Sequence, residues 1–353
     1  MGQRAVDQGV SGAWLQIAFP EEASDGTGDA QADPPRASTG PPATGREGGA
    51  QRKWYSVIDK VWAGANLRAA WAKVRAARGA AGVDGQSVAS FEQNVEQRLD
   101  ELGEDLRAGT YRPQPVRRVY LPKSGGGQRP LGIPTVRDRV VHQAVRQVLE
   151  PIFEPRMSPR SHGFRPGRGC QSALKVVDQA VRHGYSWVVD ADIAAFFDTV
   201  DHDRLLDAVH EAVTDGSLLR LLRRILTAGV LEPGARELSP TPRGTPQGSP
   251  LSPLLANLYL HELDERLTRA GWGLVRYADD FVIFARSEAE ATAALALVRE
   301  VLEGQMKLTL HPDKTRVVAV AEGFEFLGYH WRWDEKERYW RKEVRRKSAR
   351  RFP

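Results

Sequence analysis

Tyr277-Ala278-Asp279-Asp280 lies between two strand-like runs, Leu274-Val275-Arg276 and Phe281-Val282-Ile283-Phe284. The arrangement predicts a β-hairpin carrying two carboxylates at its tip. Successive side chains of a strand point to opposite faces, so the pair acts together only if the turn bends the backbone, and one of them should dominate any metal binding. On this reading that residue is Asp279. An Asp-Asp turn between hydrophobic strands is also ordinary hairpin chemistry, and the motif alone selects no function.

A second acidic strand narrows the choice. Trp187-Val188-Val189-Asp190-Ala191-Asp192-Ile193 is β-rich and ends in carboxylates just before Phe196-Phe197-Asp198. Two such strands side by side would cluster acids. Hard divalent cations such as Mg²⁺ take oxygen ligands, commonly one or two carboxylates plus substrate phosphates, so the pattern suits two-metal phosphoryl transfer of the nucleotidyl kind.

Composition limits the alternatives. The 353 residues can bury an ordinary core, in one large domain or two smaller ones. No run of 18 apolar residues occurs, and the short apolar stretch from Ala13 to Phe19 lacks a basic flank, so no membrane span or signal peptide is expected and a cytoplasmic location is. Cys170 is the single cysteine, which excludes an internal disulfide and any Cys-based zinc cluster in this chain. Gly and Pro supply 14 of the first 50 residues without hydrophobic periodicity, so residues 1–52 read as a disordered extension.

Order is expected from Trp54, where Trp54, Ile58, Val61 and Trp62 recur at helical spacing, followed by Leu67, Trp71 and Val74. After a break at Gly82-Val83-Asp84-Gly85, an amphipathic stretch carries Phe91, Val95, Leu99, Leu102 and Leu106 to Gly109. The formal net charge of +5 is unevenly spread: residues 336–351 hold nine Lys/Arg against two Glu, and residues 112–139 hold seven against Asp138. A third group contains Arg156, Arg160, Arg165 and Arg168. One such block reads as a solvated face; three favour a nucleic-acid surface.

Residues 120–134, YLPKSGGGQRPLGIP, read as two strands joined by a glycine turn, with Lys123 and Arg129 placed to grip a triphosphate or merely to protect an edge strand. Thr135-Val136-Arg137-Asp138-Arg139 leads into a helix expected to close at Pro151, with Arg137 and Arg139 available to template phosphates and His142 as packing or solvent-facing. Ser161–Gly169 is a Gly/Arg loop suited to a nucleic-acid backbone. Thr245–Pro253 is a loop entering a helix, with Ser252 expected at the N-cap, Pro253 at the first helical position, and Leu254, Leu258, Leu260 and Leu263 toward a core. Gln247 and Gly248 suit a nucleotide or strand lying on the backbone, and equally a plain capped helix.

Taken in order, these segments resemble the reverse transcriptase of group II intron-encoded proteins, from about Trp54 to the chain end. The motifs that carry the resemblance are YLPKSGGGQRPLGIPTVRDRVVHQAV, SHGFRPGRGCQSAL, VVDADIAAFFDTVDH, GTPQGSPLSPLLANLYLHELD, VRYADDFVIFARS, HPDKT and FEFLGYHW. The resemblance implies an α+β right-hand polymerase: fingers and palm over 53–335, an antiparallel palm sheet flanked by helices, and over 336–353 the basic start of a thumb, or maturase, region that is largely missing.

It further implies RNA-directed DNA polymerisation with two Mg²⁺, dNTPs, a DNA primer and an RNA template that is an intron RNA. Asp192, Asp279 and Asp280 would be the catalytic carboxylates and metal ligands, with Ile193 beside them and Asp190 a near miss. Phe197 would gate against a ribose 2′-hydroxyl. Lys123, Arg129, Gln247, Gly248 and Lys314 would meet the nucleotide or the departing pyrophosphate; Arg137, Arg139, Arg165, Arg168, Phe326, Leu327 and Gly328 would meet template or primer. No membrane partner is implied, and a dimer is admissible. Alternatives are a splicing cofactor that binds intron RNA, an inactive thumbless remnant, a retron, diversity-generating or CRISPR-associated reverse transcriptase, and an RNA-dependent RNA polymerase, against which Phe197 discriminates.

Overall fold

In the computed structural model, the structure describes residues 53–122, 126–334 and 339–344. The N-terminal extension 1–52, Lys123 and most of the basic 336–353 segment lie outside these residues.

The first elements are helical: α1 (Ile58–Trp62), α2 (Gly64–Ala77), α3 (Val88–Glu92) and α4 (Val95–Ala108). Their apolar stripes are those read from periodicity, with Val61, Leu67, Trp71, Phe91, Leu99, Leu102 and Leu106 all buried in one core. Two boundaries differ from expectation. Trp54 is not helical; its amide donates to the Ala212 carbonyl and it bridges to Val213, because Asp215 accepts the amides of Val57 and Ile58 and delays the helix start. The stretch from Phe91 to Leu106 is two helices, broken at Gln93-Asn94, and ends on Gly109, which takes the left-handed conformation that glycine supplies at helix ends.

The hairpin β1 (Val116–Pro122) and β2 (Gln128–Ile133) follows, antiparallel, and leads into α5 (Val136–Phe153). Thr135 caps α5 by accepting the Asp138 amide. The helix does not close at Pro151. Pro151 sits exposed within the last turn, where its missing amide removes one bond while buried Phe153 keeps that turn on the core.

The chain continues through α6 (Cys170–Arg182), β3 (Trp187–Asp192), α7 (Phe196–Thr199), α8 (His202–His210), α9 (Gly216–Leu226), β4 (Val230–Leu231) and α10 (Ser252–Arg269). Then come β5 (Gly273–Tyr277), β6 (Asp280–Ala285), α11 (Glu288–Arg299), β7 (Arg316–Ala319), β8 (Phe324–Phe326), β9 (Tyr329–Asp334) and β10 (Tyr339–Val344). Strands β5-β6-β3-β7 form a four-stranded sheet, every pair antiparallel.

Period-two alternation sorts that sheet. Val189, Ala191, Phe281 and Ile283 face the large helical core, whereas Val188, Val282 and Phe284 face a second core made with α6 and the β8-β9 hairpin. Covered on both faces, the strands are nearly continuous hydrophobic runs and end in carboxylates only where they emerge. This is the antiparallel sheet flanked by helices that the resemblance leads one to expect, an α+β architecture.

Candidate active site

The register of the sheet assembles the acids. Asp192, at the end of β3, pairs directly with Asp280, the first residue of β6, and Asp190 pairs with Val282. Alternation places Asp190, Asp192 and Asp280 on one face. Asp279 sits in the tight turn between β5 and β6, which Ala278 bends through a left-handed φ of 60°. The turn thus supplies the bend that two adjacent aspartates need in order to work together.

The electrostatics follow from that crowding. Burial, and then the carboxylates of Asp190, Asp192 and Asp279, push the Asp280 carboxyl up to about 7, with Lys314 opposing. Asp279 is also raised, first by burial and then by Asp192, while Arg129 and Arg276 act the other way. Asp190, set aside in the sequence reading, shares the field of Asp280 but is held by Arg316 at 3.3 Å.

Lys314 reaches the same place. Its Nζ donates to Asp192 Oδ2 at 2.7 Å. The loop carrying it is strapped to the end of β3: Ala194 N donates to Thr309 O, His311 N to Asp192 O, and Ile193 bridges to Leu310. Ile193 itself is buried in the core.

Among the described residues no three acid, imidazole or thiolate side chains are already drawn together as a ligand set for one ion. The residues nevertheless suit Mg²⁺. The donors are hard carboxylate oxygens, the burial and mutual repulsion that raise the Asp280 carboxyl are what a bound cation would relieve, and Lys314 on Asp192 is an ammonium that a metal could displace.

A cleft of about 520 Å³ lies between the C-terminal end of α2, strand β2 and the 247–253 loop; none of the aspartates lines it, but Arg129, which does, acts on the Asp279 carboxyl. It brings together Arg129, Phe197, Gln247, Gly248 and Arg139, and adds Lys73, Arg78 and Arg146, which sequence reasoning missed. Lys73 and Arg146 stand on helices whose periodicity marks only their buried faces, and Arg78 caps the end of α2. Arg129 is exposed and its Nε donates to Gln247 Oε1 at 3.3 Å. Phe197 is half-buried and packs edge-on against Phe196, whose ring is fully buried.

Several expected roles are corrected. What lies against Gly248 is this chain's own strand β2: the Gly132 amide donates to Gln247 O, and a Cβ on Gly248 would stand 2.5 Å from Gly132 O. Ser252 is the first helical residue rather than the N-cap, which is Leu251; its hydroxyl donates to Pro246 O and ties the loop instead. Arg165 is buried, bound to the Glu154 carboxylate and to the carbonyls of Ser158 and Ser161, so it cannot meet a phosphate. Arg139 likewise donates to the carbonyls of Arg78 and Ala80, and Arg137 pairs with Asp105 above the Tyr111 ring.

Arg168 is half-buried and donates to Pro159 O. Phe326 is buried among the residues of the second core and cannot touch a primer, while Leu327-Gly328 form the two-residue turn of the β8-β9 hairpin, both with positive φ. His142 is fully buried, its Nδ1 2.9 Å from Ser249 Oγ, and burial lowers its imidazole to about 3.

Comparison with known proteins agrees with this geometry. The family model described as reverse transcriptase (RNA-dependent DNA polymerase) matches residues 121–331. Protein YkfC of Escherichia coli (strain K12) is 36% identical over 286 residues, covering 70% of this chain and 74% of that protein. The chain belongs to the reverse transcriptase family.

The group II intron-encoded protein LtrA of Lactococcus lactis subsp. cremoris is 44% identical over 171 residues, 48% of this chain and 28% of that protein. That match supports the group II intron type, although the chain spans little more than a quarter of that relative. Among solved structures, telomerase from Candida albicans in complex with a fragment of telomeric RNA aligns with a TM-score of 0.52 at 12% identity, covering 73% of this chain and 50% of that one. At that identity the likeness concerns the fold alone.

Proposed function

We propose that the chain extends a DNA primer on an RNA template, using Asp192, Asp279 and Asp280 as its catalytic carboxylates. The observation that carries this is the pairing of Asp192 with Asp280, with Asp279 in the turn between β5 and β6. Two Mg²⁺ held by Asp192 and Asp279, with Asp280 beside them, would supply activation of the primer 3′-hydroxyl and neutralisation of charge on the leaving pyrophosphate.

The chain's own residues position and neutralise. Arg129, braced by Gln247, offers a planar fork to the phosphates of an incoming nucleotide. The half-buried ring of Phe197, fixed by Phe196, narrows the cleft where a 2′-hydroxyl would stand, which favours deoxynucleotides. Lys314, released from Asp192, has the reach and charge to follow the pyrophosphate. The template is an RNA, of intron origin on the strength of the LtrA likeness.

Primer extension on an RNA template with Mg²⁺ and dNTPs tests the reading. Wild-type protein is expected to extend, the Asp279→Ala/Asp280→Ala variant to fail, and Phe197→Ala to accept ribonucleotides roughly 100-fold more readily. An aspartate-free variant that extends as well as wild type would refute it; strong RNA binding without extension would favour a splicing cofactor.

A further inference from the structure

Beneath the Asp279-Asp280 turn lies a polar network whose members fall within the quoted motifs but were given no role there. Arg276, the penultimate residue of β5, and Asp264, on α10, are both fully buried. Arg276 Nε and Nη2 donate to the two oxygens of Asp264 at 2.7 and 2.6 Å, a bidentate pair. Its remaining nitrogen, Nη1, donates to the Ala278 carbonyl at 2.8 Å and to Asn257 Oδ1 at 3.0 Å. Buried Asn257, also on α10, in turn donates through Nδ2 to the Gly163 carbonyl at 2.8 Å.

The network ends on the turn itself. Ala278 is the residue bent to a φ of 60°, a conformation that costs an L-residue energy and persists only where the surroundings impose it. The Ser161–Gly163 loop closes over the same spot: the His162 amide donates to Arg276 O, the Arg276 amide to Arg160 O, and a Cβ on Gly163 would stand 2.5 Å from the Ala278 nitrogen. The bend that brings Asp279 beside Asp280 and Asp192 is therefore clamped from below by a guanidinium and from the side by a loop held by Asn257.

A buried ion pair is weak evidence for stability, since an apolar pair of similar volume often does as well. What an apolar pair cannot do is hold the Ala278 carbonyl. We propose that Arg276, Asp264 and Asn257 are positioning residues that set the geometry of the Asp279-Asp280 turn, and so the placing of its carboxylates against Asp192. This rests on the proposed polymerase function. Arg is required in place of Lys, because one planar fork must span both Asp264 oxygens and the Ala278 carbonyl at once.

The test compares wild type with Arg276→Met/Asp264→Leu, which removes both charges together, and with Asn257→Ala, which leaves the ion pair intact and removes its uncharged partner. Each is measured for melting temperature, primer–template affinity, single-turnover dNTP incorporation and Mn²⁺ affinity by titration without nucleotide. The expected result is a folded protein with unchanged primer–template affinity, incorporation slowed about 100-fold with little change in the nucleotide KM, and weakened Mn²⁺ binding. Folded variants with wild-type incorporation and Mn²⁺ affinity would overturn the proposal. If the double variant does not fold, Asn257→Ala alone decides by the same readouts. If wild type itself does not incorporate dNTPs, the polymerase reading fails, while the Mn²⁺ titration still decides whether the network shapes the turn.

Discussion

At the scale of single residues, burial and like charge shape this site more than any one contact. Burial first, and then the three other carboxylates that share its surroundings, push the Asp280 carboxyl up to about 7, with Lys314 opposing. The opposite case is His142, whose buried imidazole, with Ser249 Oγ beside Nδ1, stays neutral down to about pH 3. Between pH 6.5 and 3 the unfolded chain binds a proton there that the native chain refuses, so stability is present above pH 6.5 and is lost as pH falls through this window. His162, depressed in the same way, acts with the same sign. Urea unfolding of wild type and His142→Asn at pH 7 and pH 5 is expected to show wild type losing about 2 kcal/mol more on acidification. Parallel losses in the two proteins would contradict the assignment.

At the scale of elements, the strands and their turns were legible in sequence and the ties between distant elements were not. The β3, β5 and β6 runs announce themselves because both faces are buried, and the Asp-Asp turn because it interrupts an apolar run. Arg165, Arg139 and Arg276 look alike in a sequence, yet each is spent on carbonyls or carboxylates of its own chain, and partners 11 to 61 residues away leave no local periodicity. Pro151 misled because a proline three residues from a helix end costs less than one in its middle. The clearest element-level test is the contact of the 247–253 loop with β2. Gly248→Ala, at a φ of 112° and with Gly132 O in the way, is expected to part loop from strand and raise the nucleotide KM about tenfold with a smaller effect on kcat. An unchanged KM would show that the contact does not shape the cleft.

Over the molecule, the described residues include cations that build the fold and cations that face the cleft. Arg165 belongs to the first group, so Arg165→Gln is expected to cost about 2 kcal/mol of stability, while the salt dependence of RNA binding keeps its slope. A flatter slope at unchanged stability would return Arg165 to the nucleic-acid surface. The larger consequence of the fold is that one sheet register brings Asp192 to Asp280 and leaves Asp190, two residues earlier on the same face, tied to Arg316. The most direct measurement is therefore single-turnover dNTP incorporation on a primed RNA template by Asp192→Asn and Asp190→Asn side by side with wild type. Asp192→Asn is expected to lose roughly 1,000-fold or more and Asp190→Asn less than about tenfold. Near wild-type incorporation by Asp192→Asn, or equal losses in both, would contradict the account.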